Sequence, residues 1–339
     1  VTEGVQSGYD GLLLDLDGVV YVGSAAIAGA VEAIGAAQQA GLKIGYVTNN
    51  ASRPAAAVAG HLRDLGLQLG DDAVVTSAQI AATLVADRFG AGAPVLPIGG
   101  PGVAMSLEAA GLAVVRSARD RPAAVVQGYG PDVGWADLAE AAFAIQGGAH
   151  WVATNTDLTI PQPRGIAPGN GTLVAAVRQA VGVDPEVAGK PQAVAFTAAA
   201  ARLGASRPLV VGDRLDTDIE GGNAAAFDTL MVLTGVHGFD DLLTAPPERR
   251  PTLIADDLSC LSADLTPVTM QPGQAQCGTA VVRDSDGQVR LGDDTDGHGV
   301  ELVRAVLALV WAAADAGRTL VVPADLRDRC ARRTVGADG

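Results

Sequence analysis

Two acidic clusters in this 339-residue chain have the residue types and spacing for chemistry. The first is Asp15-Leu16-Asp17-Gly18. At the end of a strand, side chains i and i+2 point the same way, so both carboxylates can face one crevice. Acids that close repel, and one stays protonated unless a cation sits beside them. A divalent cation would satisfy one and leave the other as general acid and base. Gly18 permits the tight turn that follows. The second cluster is Gly212-Asp213-Arg214-Leu215-Asp216-Thr217-Asp218, an oxygen-rich stretch suited to Mg²⁺, which takes carboxylates and retains waters. Between the two lies Thr48-Asn49-Asn50, whose hydroxyl and backbone N–H groups suit a phosphate oxygen. Lys190, in Gly189-Lys190-Pro191, adds an ammonium in a chain where Lys is scarce. Alone, each piece has a plainer use: a surface turn, a helix N-cap, a solvated lysine, an acidic helix start. Together they point to phosphate handled by acids and a cation.

Such a site needs a scaffold that brings distant positions to one edge. A short apolar run over 11–15 ends in Asp15, one over 42–48 ends in Thr48, and one over 208–212 leads to Asp213. Helical patterns follow at 30–40, 54–66 and 216–226. Strands alternating with helices predict an α/β fold with a Rossmann-like parallel sheet covered on both faces. Ligands bind such sheets beyond the carboxyl ends of the strands, where Asp15, Thr48 and Asp213 all fall. A second α/β stretch interrupts this pattern, with strands expected at 94–98, 123–127 and 151–154 and helices at 102–110, 135–147 and 173–181. The expected organisation is a discontinuous core over 1–89 and 184–265, an inserted domain over 90–183, and a C-terminal extension over 266–339. The extension reads as a small α/β unit, with strands at 278–282, 288–291 and 319–322 and a helix at 300–314. Gln271-Pro272-Gly273 reads as a loose segment, and His298, between Gly297 and Gly299, as a turn residue and not a ligand. The broad apolar face of the 300–314 helix must be buried, on the core or on a second subunit.

Composition narrows the function classes. A net charge of −15 disfavours nucleic acid and anionic membrane surfaces, which are bound largely through Lys and Arg. Cys260, Cys277 and Cys330 are odd in number and widely spaced, so neither a disulfide framework nor a zinc site is expected, and a reducing cytoplasm is. No basic segment followed by an apolar core opens the sequence, so no signal peptide is expected. The apolar run over 305–314 is too short to span a bilayer.

The order Asp-x-Asp-Gly, Thr, Lys, Gly-Asp-x-x-x-Thr-Asp resembles the haloacid dehalogenase superfamily over about residues 9–262. The insertion between Thr48 and Lys190 takes the position of that family's type 2 cap. Within it, Ala153-Thr154-Asn155-Thr156-Asp157 and Pro168-Gly169-Asn170-Gly171-Thr172 are similar to segments of the NagD-like subfamily. That subfamily includes p-nitrophenyl-phosphate, phosphoglycolate and glycerol-phosphate phosphatases. The resemblance implies a Mg²⁺-dependent phosphatase that works on a small phosphate monoester, glycerol 3-phosphate foremost, through an aspartyl-phosphate. It makes Asp15 the nucleophile and a metal ligand, and Asp17 the general acid and base with its carbonyl on the metal. Thr48 and Asn49, with Asn50 beside them, would hold the phosphoryl group, and Lys190 would neutralise charge around Asp15. Asp213 would be a further metal ligand and Asp218 would support the metal shell. Asp216 receives no role. Asn155 and Asp157 could face a polyol substrate or serve as turn residues. The expected partner is a small phosphorylated metabolite, and a homodimer through the cap or the extension is open. Other readings are a phosphatase for phosphoglycolate, a nucleotide or another sugar phosphate, a phosphomutase of the same superfamily, a receiver domain, and a non-catalytic phosphometabolite-binding protein. A receiver orders its acids differently and has no such insertion. A binding protein would not need both Asp15 and Asp17.

Overall fold

Runs of wholly buried aliphatic residues, such as Leu12-Leu13-Leu14 and Leu209-Val210-Val211, form strands covered on both faces, as a parallel sheet requires. The computed structural model describes residues 4–162, 164–292 and 299–331. It comprises two compact units, residues 1–43 with 207–339, and residues 44–206.

In the first unit, strands Leu253–Ala255, Asp228–Val232, Pro208–Gly212 and Gly11–Leu14 lie side by side in that order, all parallel. Leu14 pairs with Val211, and the Asp15 N–H donates to the Val211 carbonyl at 2.9 Å. Asp15 and Asp213 therefore leave the sheet from adjacent strand ends. The segment expected as one helix over 216–226 is a π-helical turn, Leu215–Ile219, that feeds helix Glu220–Ala224. The N–H groups of Asp218 and Ile219 both reach the Arg214 carbonyl, at 3.1 and 3.2 Å, which widens this turn.

The extension belongs to the same unit. Its strands Val268–Gln271, Gln274–Cys277, Ala280–Ser285 and Gln288–Leu291 form an antiparallel meander, followed by helices Gly299–Asp315 and Ala324–Ala331. The apolar face of the longer helix is buried, as the sequence demands. Leu302, Val303, Val306 and Leu309 share one hydrophobic cluster with Leu215, Ile219, Met231, Phe239 and Leu242. Trp311 Nε1 donates to the Leu242 carbonyl at 3.0 Å, and Arg250 pairs with Asp315 at 2.7 Å. The first hairpin was not expected. Pro272-Gly273, which reads as loose, is its turn, with Gly273 at φ 71°. The strand expected over 319–322 is reduced to a bridge between Val321 and Gln288. His298 lies outside the described residues.

In the second unit, strand Lys43–Thr48 runs parallel to Val74–Thr76. A separate five-stranded parallel sheet has the order Glu186–Val187, His150–Ala153, Ala124–Gln127, Pro94–Ile98, Ala113–Val114. Helices Pro101–Ala109, Trp135–Gln146 and Asn170–Val181 accompany it, close to the expected spans. The hairpin of Thr159–Gln162 and Gly165–Pro168 has no counterpart in the sequence reading, because its short strands carry Pro161 and Pro168.

Candidate active site

The first unit gathers acids. One carboxylate oxygen each from Asp15, Asp213 and Asp218 lies within 4.8 Å of the others. Asp15 is 9% exposed, and Asp213 and Asp218 are fully buried. The loop after strand Asp228–Val232 closes over Asp213: the Val236 N–H donates to its Oδ2 at 2.6 Å, and the His237 N–H to its carbonyl at 3.2 Å. His237 Nδ1 accepts from the Leu215 N–H at 2.8 Å, which ties this loop to the π-helical turn. Glycines make the approach possible. A Cβ on Gly18, whose φ is 84°, or on Gly235 would run into the Asp213 carboxylate, and one on Gly212 would overlap Asp218. Asp218 Oδ2 accepts from the Arg214 N–H at 3.2 Å.

Asp17 sits differently. Its side chain is exposed and stands outside the three-acid cluster, while the intervening Leu16 is 1% exposed. Asp216, given no role, pairs with Arg214 at 2.9 Å. Partial burial works against its charge, but the Arg214 guanidinium prevails and holds the carboxyl below the usual carboxylate range.

The second unit gathers amides. Thr48 ends its strand 5% exposed, and its Oγ1 accepts from the Asn50 N–H at 3.1 Å. Asn50 Oδ1 is taken up by its own loop, accepting from the Ser52 N–H at 3.0 Å and the Ser52 hydroxyl at 2.7 Å. Asn49 clasps the backbone of Lys190: its Oδ1 accepts from the Lys190 N–H at 2.9 Å, and its Nδ2 donates to the Lys190 carbonyl at 3.1 Å. Asn49 Nδ2 also donates to the Asp157 carboxylate at 3.2 Å. Lys190 is 3% exposed. The Asn49 carbonyl in turn accepts from Asn155 Nδ2 at 2.7 Å and from the Ser77 hydroxyl at 2.8 Å.

Asn155, a candidate for facing substrate, spends both ends of its amide on the protein, because its Oδ1 accepts from the Asp157 N–H at 3.2 Å. Asn170, passed over as one letter of a similar motif, donates through Nδ2 to the Asn155 carbonyl at 2.7 Å. The motifs at 153–157 and 168–172 are thus one assembly. The Gly171 N–H donates to the Asp157 carbonyl at 2.9 Å, and a Cβ on Gly169 or Gly171 would strike residues 156 and 157. One Asn in each motif, flanked by glycines in the second, is the only sign of this in the sequence. No helix among the described residues is long and apolar enough to cross a membrane.

Comparison with known proteins gives a consistent picture. Residues 12–113 match haloacid dehalogenase-like hydrolases, and residues 187–261 match a HAD-hydrolase-like family. The chain is 50% identical over 311 residues to D-glycerol 3-phosphate phosphatase of Mycobacterium tuberculosis, covering 90% of this chain and 86% of that one. It is 34% identical over 259 residues to acid sugar phosphatase of Staphylococcus epidermidis, covering 76% of this chain and 98% of that one. The crystal structure of the Mycobacterium tuberculosis glycerol phosphate phosphatase in complex with magnesium superposes with a TM-score of 0.87 at 45% identity, over 99% of this chain and 100% of that one. The p-nitrophenyl phosphatase of Archaeoglobus fulgidus superposes with a TM-score of 0.70 at 29% identity, over 75% of this chain and 98% of that one.

Proposed function

The chain belongs to the haloacid dehalogenase-like hydrolases and is a phosphatase of that family, and from this premise we propose that it hydrolyses D-glycerol 3-phosphate with Asp15 as nucleophile and Mg²⁺ as cofactor. The convergence of Asp15, Asp213 and Asp218 within 4.8 Å carries the reading. Three buried carboxylates without a cation would repel strongly. Their all-oxygen donor set, reached past two glycines that leave room beside Asp213, fits a hard divalent ion. Asp15, Asp213 and Asp218 would hold it, with the Asp17 carbonyl, and bound there it screens the phosphoryl dianion and offsets charge in the transition state. The substrate assignment is supported by the 50% identity to a glycerol 3-phosphate phosphatase.

In the proposed reaction an Asp15 carboxylate oxygen attacks phosphorus and the bond to the glycerol oxygen breaks. That alkoxide is a poor leaving group and takes a proton from Asp17, whose side chain is exposed. Asp17 then accepts a proton from water as the water oxygen attacks the aspartyl-phosphate, releasing phosphate and restoring Asp15. Thr48 and the Asn49 N–H would hold the phosphoryl oxygens, and Lys190 would balance their charge. Residues 90–183 are assigned to the cap and 1–89 with 184–265 to the core. The assignment to the cytoplasm is supported by three buried free thiols.

The test is hydrolysis of D-glycerol 3-phosphate with and without Mg²⁺ by the wild type and Asp15→Asn. Turnover should require both the ion and the carboxylate. Undiminished turnover by Asp15→Asn, with deamidation excluded, overturns the mechanism. A phosphorylated-metabolite screen in which another ester gives the highest kcat/KM overturns the substrate.

A further inference from the structure

The amide chain of the second unit ends on Lys190 and begins far from it. Asn170 Nδ2 holds the Asn155 carbonyl, Asn155 Nδ2 holds the Asn49 carbonyl, and Asn49 clasps Lys190 through both its N–H and its carbonyl. Each step joins a neutral donor to an acceptor distant in sequence, except the first, which spans 15 residues. From these contacts we infer that Asn155 and Asn170 are positioning residues, which fix the backbone that carries the Lys190 ammonium by way of Asn49 and do not contact the alcohol part of the substrate.

Four observations carry this. Each end of the Asn155 amide already bonds the protein, and the residue is 5% exposed, which leaves its second N–H and second lone pair little access to a polyol hydroxyl. Asn170 is 1% exposed, and its Oδ1 has no hydrogen-bond partner among the described residues. Burying half an amide unpaired is costly, and an apolar residue would avoid that cost. The Nδ2 contacts to the Asn155 and Gln127 carbonyls, at 2.7 and 3.3 Å, are what the position gains. The clasp on Lys190 leaves its backbone little latitude, because a Cβ on the preceding Gly189 would meet Asn49 Oδ1 and the Thr154 carbonyl. Finally, a neutral amide chain can fix an ammonium's backbone without altering the charge around it, which a carboxylate could not do.

The inference rests on the phosphoryl role proposed for Lys190, and its test separates the two. Asn155→Ala and Asn170→Ala are compared with wild type on D-glycerol 3-phosphate and p-nitrophenyl phosphate, well below each variant's melting temperature. A slip of about 1 Å in a catalytic group costs on the order of 100-fold. The expected result is a fall in kcat of about tenfold or more, equal for both esters within about twofold, because both present the same phosphoryl group to Lys190. A fall confined to glycerol 3-phosphate, or no fall, overturns the inference. Asn155→Asp is the isosteric control. It keeps the acceptor for the Asp157 N–H and loses the donor to Asn49, so it should reproduce the loss; wild-type rates would overturn the relay. Amide hydrogen exchange then reads the geometry directly: the Lys190 N–H should exchange faster in Asn155→Asp, and unchanged protection there is a second way to overturn it. If instead Lys190→Ala turns over both esters at the wild-type rate, it is the proposed role of Lys190 that fails. In that case the exchange result alone decides whether Asn155 fixes the Lys190 backbone.

Discussion

Three carboxylates and three asparagines give the two units opposite electrostatic characters. Asp15, Asp213 and Asp218 crowd like charges into one space, where backbone N–H groups of Val236 and Arg214 donate to Asp213 and Asp218. Asn49, Asn155 and Asn170 build a network of mostly neutral bonds, largely to one another's backbone, with one branch from Asn49 to the Asp157 carboxylate. The first arrangement suits the cation that it is proposed to hold. The second is largely complete as it stands, and its purpose is geometry. Ligand removal should therefore disturb the carboxylates and leave the amides alone, while side-chain substitution should do different things in the two places.

The largest effect that would break this contrast is on Asp15→Asn. Turnover should fall by at least about 10³-fold, as for loss of other nucleophiles. Without metal the variant should nevertheless melt higher than wild type, because one of three crowded charges is gone. Adding Mg²⁺ should raise the wild-type melting temperature, with about 2.7 kcal/mol of stabilisation at a hundred times Kd. Asp213→Asn should blunt that rise. Calorimetry with EDTA and with Mg²⁺ checks both statements, and a lower metal-free melting temperature for Asp15→Asn would mean that the cluster is not strained.

Asp17→Asn sharpens the comparison from the other side, because its side chain stands apart from the cluster. General acid help is worth about 10²–10⁴-fold, and glycerol needs it where p-nitrophenol does not. Single-turnover transfer from glycerol 3-phosphate should slow by a factor in that range. With p-nitrophenyl phosphate a burst should appear, followed by slow hydrolysis. Equal slowing of the first step for both esters would remove Asp17 from the acid role.

The same contrast explains what could be read in advance. The convergence of Asp15, Asp213 and Asp218 is legible because an acid's chemistry belongs to its residue type, and the strand-end positions of Asp15 and Asp213 follow from apolar runs such as Leu12-Leu13-Leu14, whereas Asp17, expected to face the same crevice, stands outside the cluster. Asn155 and Asn170 are not legible in this way. What an amide does depends on its partner, and Asn155 finds Asn49 at 106 positions' remove. Asn155 therefore invited assignment to substrate, and Asn170 received no role. The loop over 235–237 carries no sequence signal for the same reason: its contacts to Asp213 are made by backbone N–H groups, which every non-proline residue has. Local geometry hid two further features. The π-helical turn at Leu215–Ile219 has no residue signature distinct from a helix start, and Pro272-Gly273 serves a flexible segment and a hairpin turn equally well.

The smallest effect concerns how the acid cluster is braced. Helix Phe239–Leu243 directly follows the loop that closes over Asp213, and it is held by Trp311 of the extension through the Leu242 carbonyl. Arg250 lies over the Trp311 ring at 5.4 Å and donates to the Ala245 carbonyl at 3.1 Å. Ending the chain at Leu265 would strip Leu302, Val303, Val306 and Leu309 from the shared cluster and expose Phe239 and Leu242, so that variant should aggregate or melt well below the full chain. Trp311→Phe asks a finer question. It keeps an aromatic ring and loses one hydrogen bond, worth about 1 kcal/mol, with a penalty for the carbonyl wherever water cannot reach it. The melting temperature should drop by a few degrees and kcat should stay within about twofold, because the Val236 and His237 N–H groups that hold Asp213 are untouched. A large loss of kcat with little loss of stability would instead mean that the extension sets the geometry of the acids, and that the carboxylate cluster, like Lys190, depends on positioning from a distance.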